Sequence, residues 1–196
     1  MFARMMICGA LLGLLAACGG KEDLSKPPKP MGDFLLGYNV VKATDAKAGP
    51  LSRKAAPAEW EAAVADTIKA RLGRYQGNHL FHLGTHIDGY VLAKPGIPLV
   101  AAPQSVLMIS VNVWDDATQK KLTEKPKQFV VFEKSKKPTL IVGSGLVNSK
   151  QEQMQNLSRN AARLIHKWLL DNKQWFESAE VTKTTARPVA RAKTGK

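Results

Sequence analysis

SKQEQMQNLSRNAARLIHKWLL, residues 149–170, is the stretch from which the fold is read. Ser149 and Glu152 form an S-x-x-E capping box, which satisfies two backbone N–H groups at a helix start. Beyond it Met154, Leu157, Ala161, Leu164, Ile165, Trp168 and Leu169 recur at helical spacing, marking one apolar stripe on an otherwise polar helix. A helix with one apolar face has to bury it against another element, and the residues upstream supply candidates.

A second helix is predicted from Pro57 to about Tyr75, with Trp60, Val64, Ile68, Leu72 and Tyr75 on its buried side. Proline suits its first turn, and Gly77 suits its exit. Strands are predicted at 33–43, 79–93, 106–114, 127–132 and 139–147. In the second, Phe81, Leu83, Ile87 and Val91 alternate with His82, His86 and Asp88, so each set lies on its own face. In the third, Leu107, Ile109, Val111 and Val113 form the apolar face, and Asp115-Asp116 closes it with turn chemistry. Gly143-Ser144-Gly145 bends or weakens the last. The expectation is one α+β domain over residues 33–176: an antiparallel sheet of four to five strands with two helices packed on one face.

Ahead of this domain stands MFARMMICGALLGLLAAC. One positive charge precedes an apolar run, Met5 to Ala17, that is 13 residues long, short of the ~20 a spanning helix needs. A charged head, an apolar core and small residues make a secretory signal. Leu15-Ala16-Ala17-Cys18 resembles the lipobox of bacterial lipoproteins, in which the cysteine is lipidated and the bond before it is cut. That resemblance implies a signal peptide over 1–17, a lipid on Cys18, and a membrane partner for it. Residues 18–32, with Pro27-Pro28-Lys29-Pro30, then read as a solvated tether. Gly19 stands where an aspartate in such lipoproteins signals retention in the inner membrane, so the outer membrane is expected, facing the periplasm. Residues 177–196 lose periodicity and carry Lys183, Arg187, Arg191, Lys193 and Lys196 with no acid after Glu180. They read as a disordered basic tail that can meet anionic lipid or cell-wall polymer.

The formal charge of +13 raises the question of nucleic acid. An exported protein does not meet it, and envelope anions are the relevant partners. Cys8 and Cys18 are the two cysteines. One would leave with the signal and the other would carry lipid, so the folded domain is expected to have no disulfide, thiol nucleophile or thiolate metal site.

Few side chains invite chemistry. His82, His86 and Asp88 share a strand face, but same-face positions recur every ~6.8 Å. His82 and His86 are then about 13 Å apart, too far to share an ion that wants ligands near 2 Å unless Gly84 bends the strand. Ser144 lies inside a strand and not at a G-x-S-x-G elbow. Asp115, Asp116 and Glu133 lie near strand ends, where turn capping is the expected role. No catalytic residue, metal or cofactor is therefore assigned. The apolar loop Ile97 to Ala102, with Leu99 and Val100, either covers the sheet edge or contacts a partner. Trp175 and Phe176, just past the last helix, either cap the core or do the same.

Over residues 33–172, element order and lipobox together resemble small envelope lipoproteins: the periplasmic domain of the curli-secretion lipoprotein, the N-terminal domain of the Tol-Pal translocation protein, and auxiliary lipoproteins of lipid-transport and penicillin-binding-protein systems. The whole chain also resembles an uncharacterised lipoprotein family of alphaproteobacteria. These resemblances imply a non-catalytic, lipid-anchored accessory protein that binds an envelope partner. Two other classes stay open: a lipid or polysaccharide carrier with a pocket between sheet and helices, and a hydrolase or metalloenzyme using the His82, His86, Asp88 or Ser144 region.

Overall fold

The computed structural model describes residues 24–95, 105–133 and 148–177. Strand β1 (Phe34–Lys42) and the short β2 (Lys47–Ala48) lead into helix α1 (Pro57–Leu72) and the long strand β3 (His79–Val91). After β4 (Val106–Asp115), β5 (Lys120–Lys121) and β6 (Lys127–Phe132) come helix α2 (Lys150–Asp171) and a 3-10 turn at Lys173–Phe176. β3 and β4 are the middle of the six-stranded sheet; β1 and β2 share one flank of β3, and β5 and β6 share the far flank of β4.

The α+β class and the placement of both helices on one sheet face stand as expected, but the sheet is mixed. β1 pairs β3 in parallel, from Phe34 opposite His79 to Lys42 opposite His86, and β2 continues that edge opposite Gly89 and Tyr90. Parallel neighbours require a crossover of a dozen or more residues, usually a helix, and α1 is that crossover. All the pairings of β4, with β3, β5 and β6, are antiparallel.

The core lies between this sheet and the helices. Trp60, Val64, Ile68 and Leu72 enter it from α1, Leu157, Ala161, Ile165 and Leu169 from α2, and Phe81, Leu83, Ile87, Leu107, Ile109, Val111 and Val113 from the sheet. Small residues, among them Ala63, Ser158, Ala161 and Ala162, bring the helices close enough for the Thr67 hydroxyl on α1 to reach the Ser158 carbonyl at 3.1 Å. The expected capping box is present: the Ser149 hydroxyl accepts from the Glu152 N–H at 3.2 Å and the Glu152 carboxylate from the Ser149 N–H at 2.7 Å. Lys150 then ties the start of α2 to Glu59 of α1 at 2.7 Å. With the Ala56 N–H, that contact holds the Glu59 carboxyl below its ordinary range. Leu164 and Trp168, assigned to the buried stripe, flank it instead and stay half-buried.

Simple alternation is broken at a bulge in β1, where the register shifts between Leu36 and Asn39, and once more in β3. Gly84 does not bend β3; it pairs in register with Asn112. The irregularity comes at Asp88, where the register steps from Ile87 opposite Ile109 to Gly89 opposite Met108. One extra residue in a strand exchanges the two faces beyond it. Tyr90 therefore turns inward against Trp60, ring centroids 5.2 Å apart, and Val91, expected inside, turns out.

The folded unit also takes in residues ahead of Asp33. Met31 is buried, and the Tyr75 hydroxyl donates to the Lys29 carbonyl at 2.8 Å while its oxygen meets His166 Nε2 at 2.6 Å. Gly32, at φ +63, brings the chain against the 3-10 turn, where the Asp33 N–H donates to the Phe176 carbonyl at 2.7 Å. A Cβ at Gly32 would sit 2.3 Å from that carbonyl oxygen. Among the described residues no helix is long and apolar enough to cross a membrane.

Candidate functional site

With both helices on one face of the sheet, none of the described elements covers the other face. Cross-strand pairing arranges it in rows. Tyr38, His82 and Trp114 cross it at one end, Lys42, His86 and Ser110 cross the middle, and Met108 with Val130, then Val106 with Phe132, cross the far end. Tyr38, Val40, Met108, Val130 and Phe132 are all exposed, the last two at 54% and 51%.

The histidines of β3 each hold a carboxylate, in three separate places. His82 Nδ1 accepts the Tyr38 N–H at 2.9 Å, so its Nε2 carries the proton given to Asp116 Oδ1 at 2.9 Å. That bond to the β1 bulge, plus the Tyr38 ring 5.0 Å away, fixes the imidazole. His86 Nδ1 donates to Asp88 Oδ1 at 2.9 Å, and the Ser110 hydroxyl donates to Asp88 Oδ2 at 2.7 Å. His79 belongs to the strand end, stacked on Phe81 with centroids 4.8 Å apart and bonded to Asp115 at 2.8 Å. Burial acts to raise the Asp115 carboxyl, but hydrogen bonds from Thr118, His79 and the Ala117 N–H outweigh it and hold the group below its ordinary range. Among the described residues no three histidine, cysteine, aspartate or glutamate side chains come together as metal ligands would.

Ser110, Asp88 and His86 contain the residue types of a hydrolase but not its arrangement. A nucleophile needs a base within reach of its own proton. Here the hydroxyl donates to the carboxylate and the imidazole donates to the other carboxylate oxygen, so the histidine has no path to the serine proton. What the bulge at Asp88 does achieve is a fixed carboxylate beside a groove.

That groove has a volume of about 430 Å³ and is walled by Val40, Lys42, His86, Asp88, Asn112 and Trp114. Gly84 explains its floor. A Cβ there would meet the Trp114 ring at 2.9 and 3.1 Å, so the missing side chain is what lets the indole lie over the backbone. Asn112 is oriented from behind: the Thr123 hydroxyl donates to its Oδ1 at 2.9 Å and itself accepts from the Val113 N–H at 3.4 Å.

Of the side chains singled out from sequence, His86 and Asp88 line the groove and His82 stands beside it. Phe176 caps the core, with its ring 5.0 Å from Phe34 and 4.8 Å from Phe81. Trp175 is half-buried between Trp168 and Phe176. Glu133 is buried and accepts from Asn148 at 2.6 Å and Asn156 at 3.0 Å, joining β6 to the start of α2. Cys18, Ile97, Leu99, Val100, Ser144, the strand expected at 139–147 and the basic residues after Glu180 lie outside the described residues. Trp114, Asn112, Met108, Val130 and Phe132 were not identified from sequence. Their signal is an apolar or aromatic residue on the second face of strands whose first face already fills the core.

No protein-family profile matches the chain, and no curated protein matches it. Solved structures to which the chain is similar include a Xanthomonas campestris protein of the family DUF330, at 13% identity and a TM-score of 0.45, covering 76% of this chain and 91% of that one. A candidate lipoprotein from Caulobacter crescentus is similar at 11% identity and a TM-score of 0.40, over 68% of this chain and 90% of that one. A minor lipoprotein from Acinetobacter baumannii is similar at 14% identity and a TM-score of 0.33, over 74% and 97% respectively.

Proposed function

We propose that this chain is a lipid-anchored accessory protein of the bacterial envelope, held by Cys18 and facing the periplasm, that binds a protein partner through the uncovered sheet face. The observation that carries the reading is the apolar end of that face. Met108, Val130 and Phe132 are exposed side by side, although one face of the same strands is already committed to the core. Contiguous exposed apolar surface of this kind marks interaction sites. Lys42, Lys47 and Lys121 stand on the same face, opposite His86, Gly89 and Trp114. An apolar end flanked by lysines along the rest of the face suits a partner whose contact surface joins an apolar patch to acidic groups. The space between sheet and helices is filled by Trp60, Ile68, Leu157 and Ile165, which weighs against a lipid carried there.

Two variants test the two halves of this proposal. Cys18→Ser should abolish fatty-acid labelling and release the domain from the outer membrane fraction, because a stable anchor needs two or more buried acyl chains. Labelling that persists would remove the anchor. Val130→Lys with Phe132→Lys should leave the urea midpoint nearly unchanged, since both side chains are exposed, yet fail to complement a deletion strain. Full complementation by a stably folded double variant would remove the interface.

A further inference from the structure

The groove that runs from Trp114 to the middle of the uncovered face has a different chemistry from the apolar patch, and we infer that it binds a saccharide chain. Its volume of about 430 Å³ lies within the range of small-ligand sites. Its polar groups are of both kinds. Lys42 brings an ammonium. Asn112, with its Oδ1 already taken by Thr123, presents its Nδ2 hydrogens. Asp88 keeps further acceptor capacity on both oxygens after the bonds from His86 and Ser110. His86, whose Nδ1 proton goes to Asp88, presents Nε2 as an acceptor when neutral.

Donors and acceptors interleaved over so short a span are matched by groups that do both, and a hydroxyl does both. Adjacent hydroxyls on a sugar ring would meet Asn112 and Lys42 with their oxygens and Asp88 and His86 with their protons. Trp114, laid over Gly84, supplies an apolar surface for the ring's C–H face, with Val40 opposite. Two of the polar side chains are fixed before a ligand arrives, Asn112 by Thr123 and Asp88 by His86 and Ser110. Fixed groups spend less ordering entropy on binding. The groove is open, and its apolar surface around Val40 and Trp114 is interrupted by polar groups, which suits a saccharide chain passing across the sheet.

This inference is independent of the protein partner and is tested apart from it. The full-length, lipidated chain in detergent is titrated by calorimetry with chitohexaose, cellohexaose and maltohexaose. The expected result is saturable binding of at least one of them. Trp114→Ala and Asn112→Ala should each weaken it by about tenfold or more, Trp114→Phe should retain most of it, and Val130→Lys with Phe132→Lys should leave it unchanged. Absence of saturable binding to all three sugars overturns the inference. So does wild-type affinity in a folded Trp114→Ala variant. Loss of partner contact, without loss of sugar affinity, in that variant would assign the groove to the protein interface and overturn it as well.

Discussion

Trp60 offers a sharp test of how the core is built. Its side chain is 0% exposed and packs on Tyr90, yet its indole Nε1 is buried with no hydrogen-bond partner. Two opposing terms follow. Truncation to alanine removes a whole aromatic from a closed core, which costs about 3–5 kcal/mol. Trp60→Phe removes fewer carbons, a loss of about 1–2 kcal/mol at ~0.8 kcal/mol per buried methylene equivalent. It also deletes an unpaired polar group whose burial costs about 1–3 kcal/mol. The phenylalanine variant should therefore lie within about 1 kcal/mol of the parent. With a urea m-value of about 2 kcal/mol/M, Trp60→Ala should lower the unfolding midpoint by roughly 2 M and Trp60→Phe by less than about 0.5 M. Trp168→Ala, half-buried against Phe129 and Trp175, belongs between them at about 1–2 kcal/mol. Equilibrium urea titration followed by far-ultraviolet circular dichroism reads all three. If Trp60→Phe costs as much as Trp60→Ala, the indole nitrogen is not a liability and the account of this core fails.

Two glycines should differ in how strongly they respond to alanine. A Cβ at Gly77 would fall 2.3 Å from the Asp33 carbonyl carbon and oxygen, all backbone, so Gly77→Ala should cost about 3 kcal/mol by forcing apart the start of β1 and β3. Gly84→Ala meets only the far end of the half-exposed Trp114 ring and should cost less than about 1 kcal/mol; the same urea titration ranks them, and a reversed order contradicts the packing described. The depressed Asp115 carboxyl makes a pH prediction. A folded-state value below the unfolded one contributes stability above the unfolded pKa and loses it as pH falls through the folded one. The stability gap between the parent and Asp115→Asn should thus be full near neutrality and close below about pH 4; a gap that widens in acid would show that the hydrogen bonds from Thr118 and His79 do not act as described.

Legibility from sequence followed the range of the interaction. The start of α2 was readable because Ser149 and Glu152 satisfy each other within one turn, and the strands β4 and β6 because alternation is a local signal. The parallel pairing of β1 with β3 depends on where α1 returns the chain, and nothing in either strand records it; a helix between two strands was the available hint. Val91 was misplaced because one extra residue at Asp88 exchanges the faces beyond it, and a bulge leaves no compositional mark in HIDGY. Trp168 looked like core because it falls on the helical stripe, but it packs edge-on against Phe129 and Trp175 at the margin of the core and stays half-buried. His86 and Asp88 were visible as a polar pair on one face. Their groove was not, because Trp114 and Asn112 join them only through the β3–β4 register, and Gly84 reads as a flexible point until the indole above it is seen.

The most direct test of the uncovered face is site-specific photo-crosslinking in intact cells. A photoreactive side chain replaces Val130 on that face, or Arg159 on the exposed outer surface of α2, and adducts are resolved by mass. Binding through the sheet face predicts a discrete higher-mass adduct from position 130 that disappears with Phe132→Lys, and no such adduct from position 159. An adduct from position 159 with none from position 130 would place the partner on the helices and contradict the account.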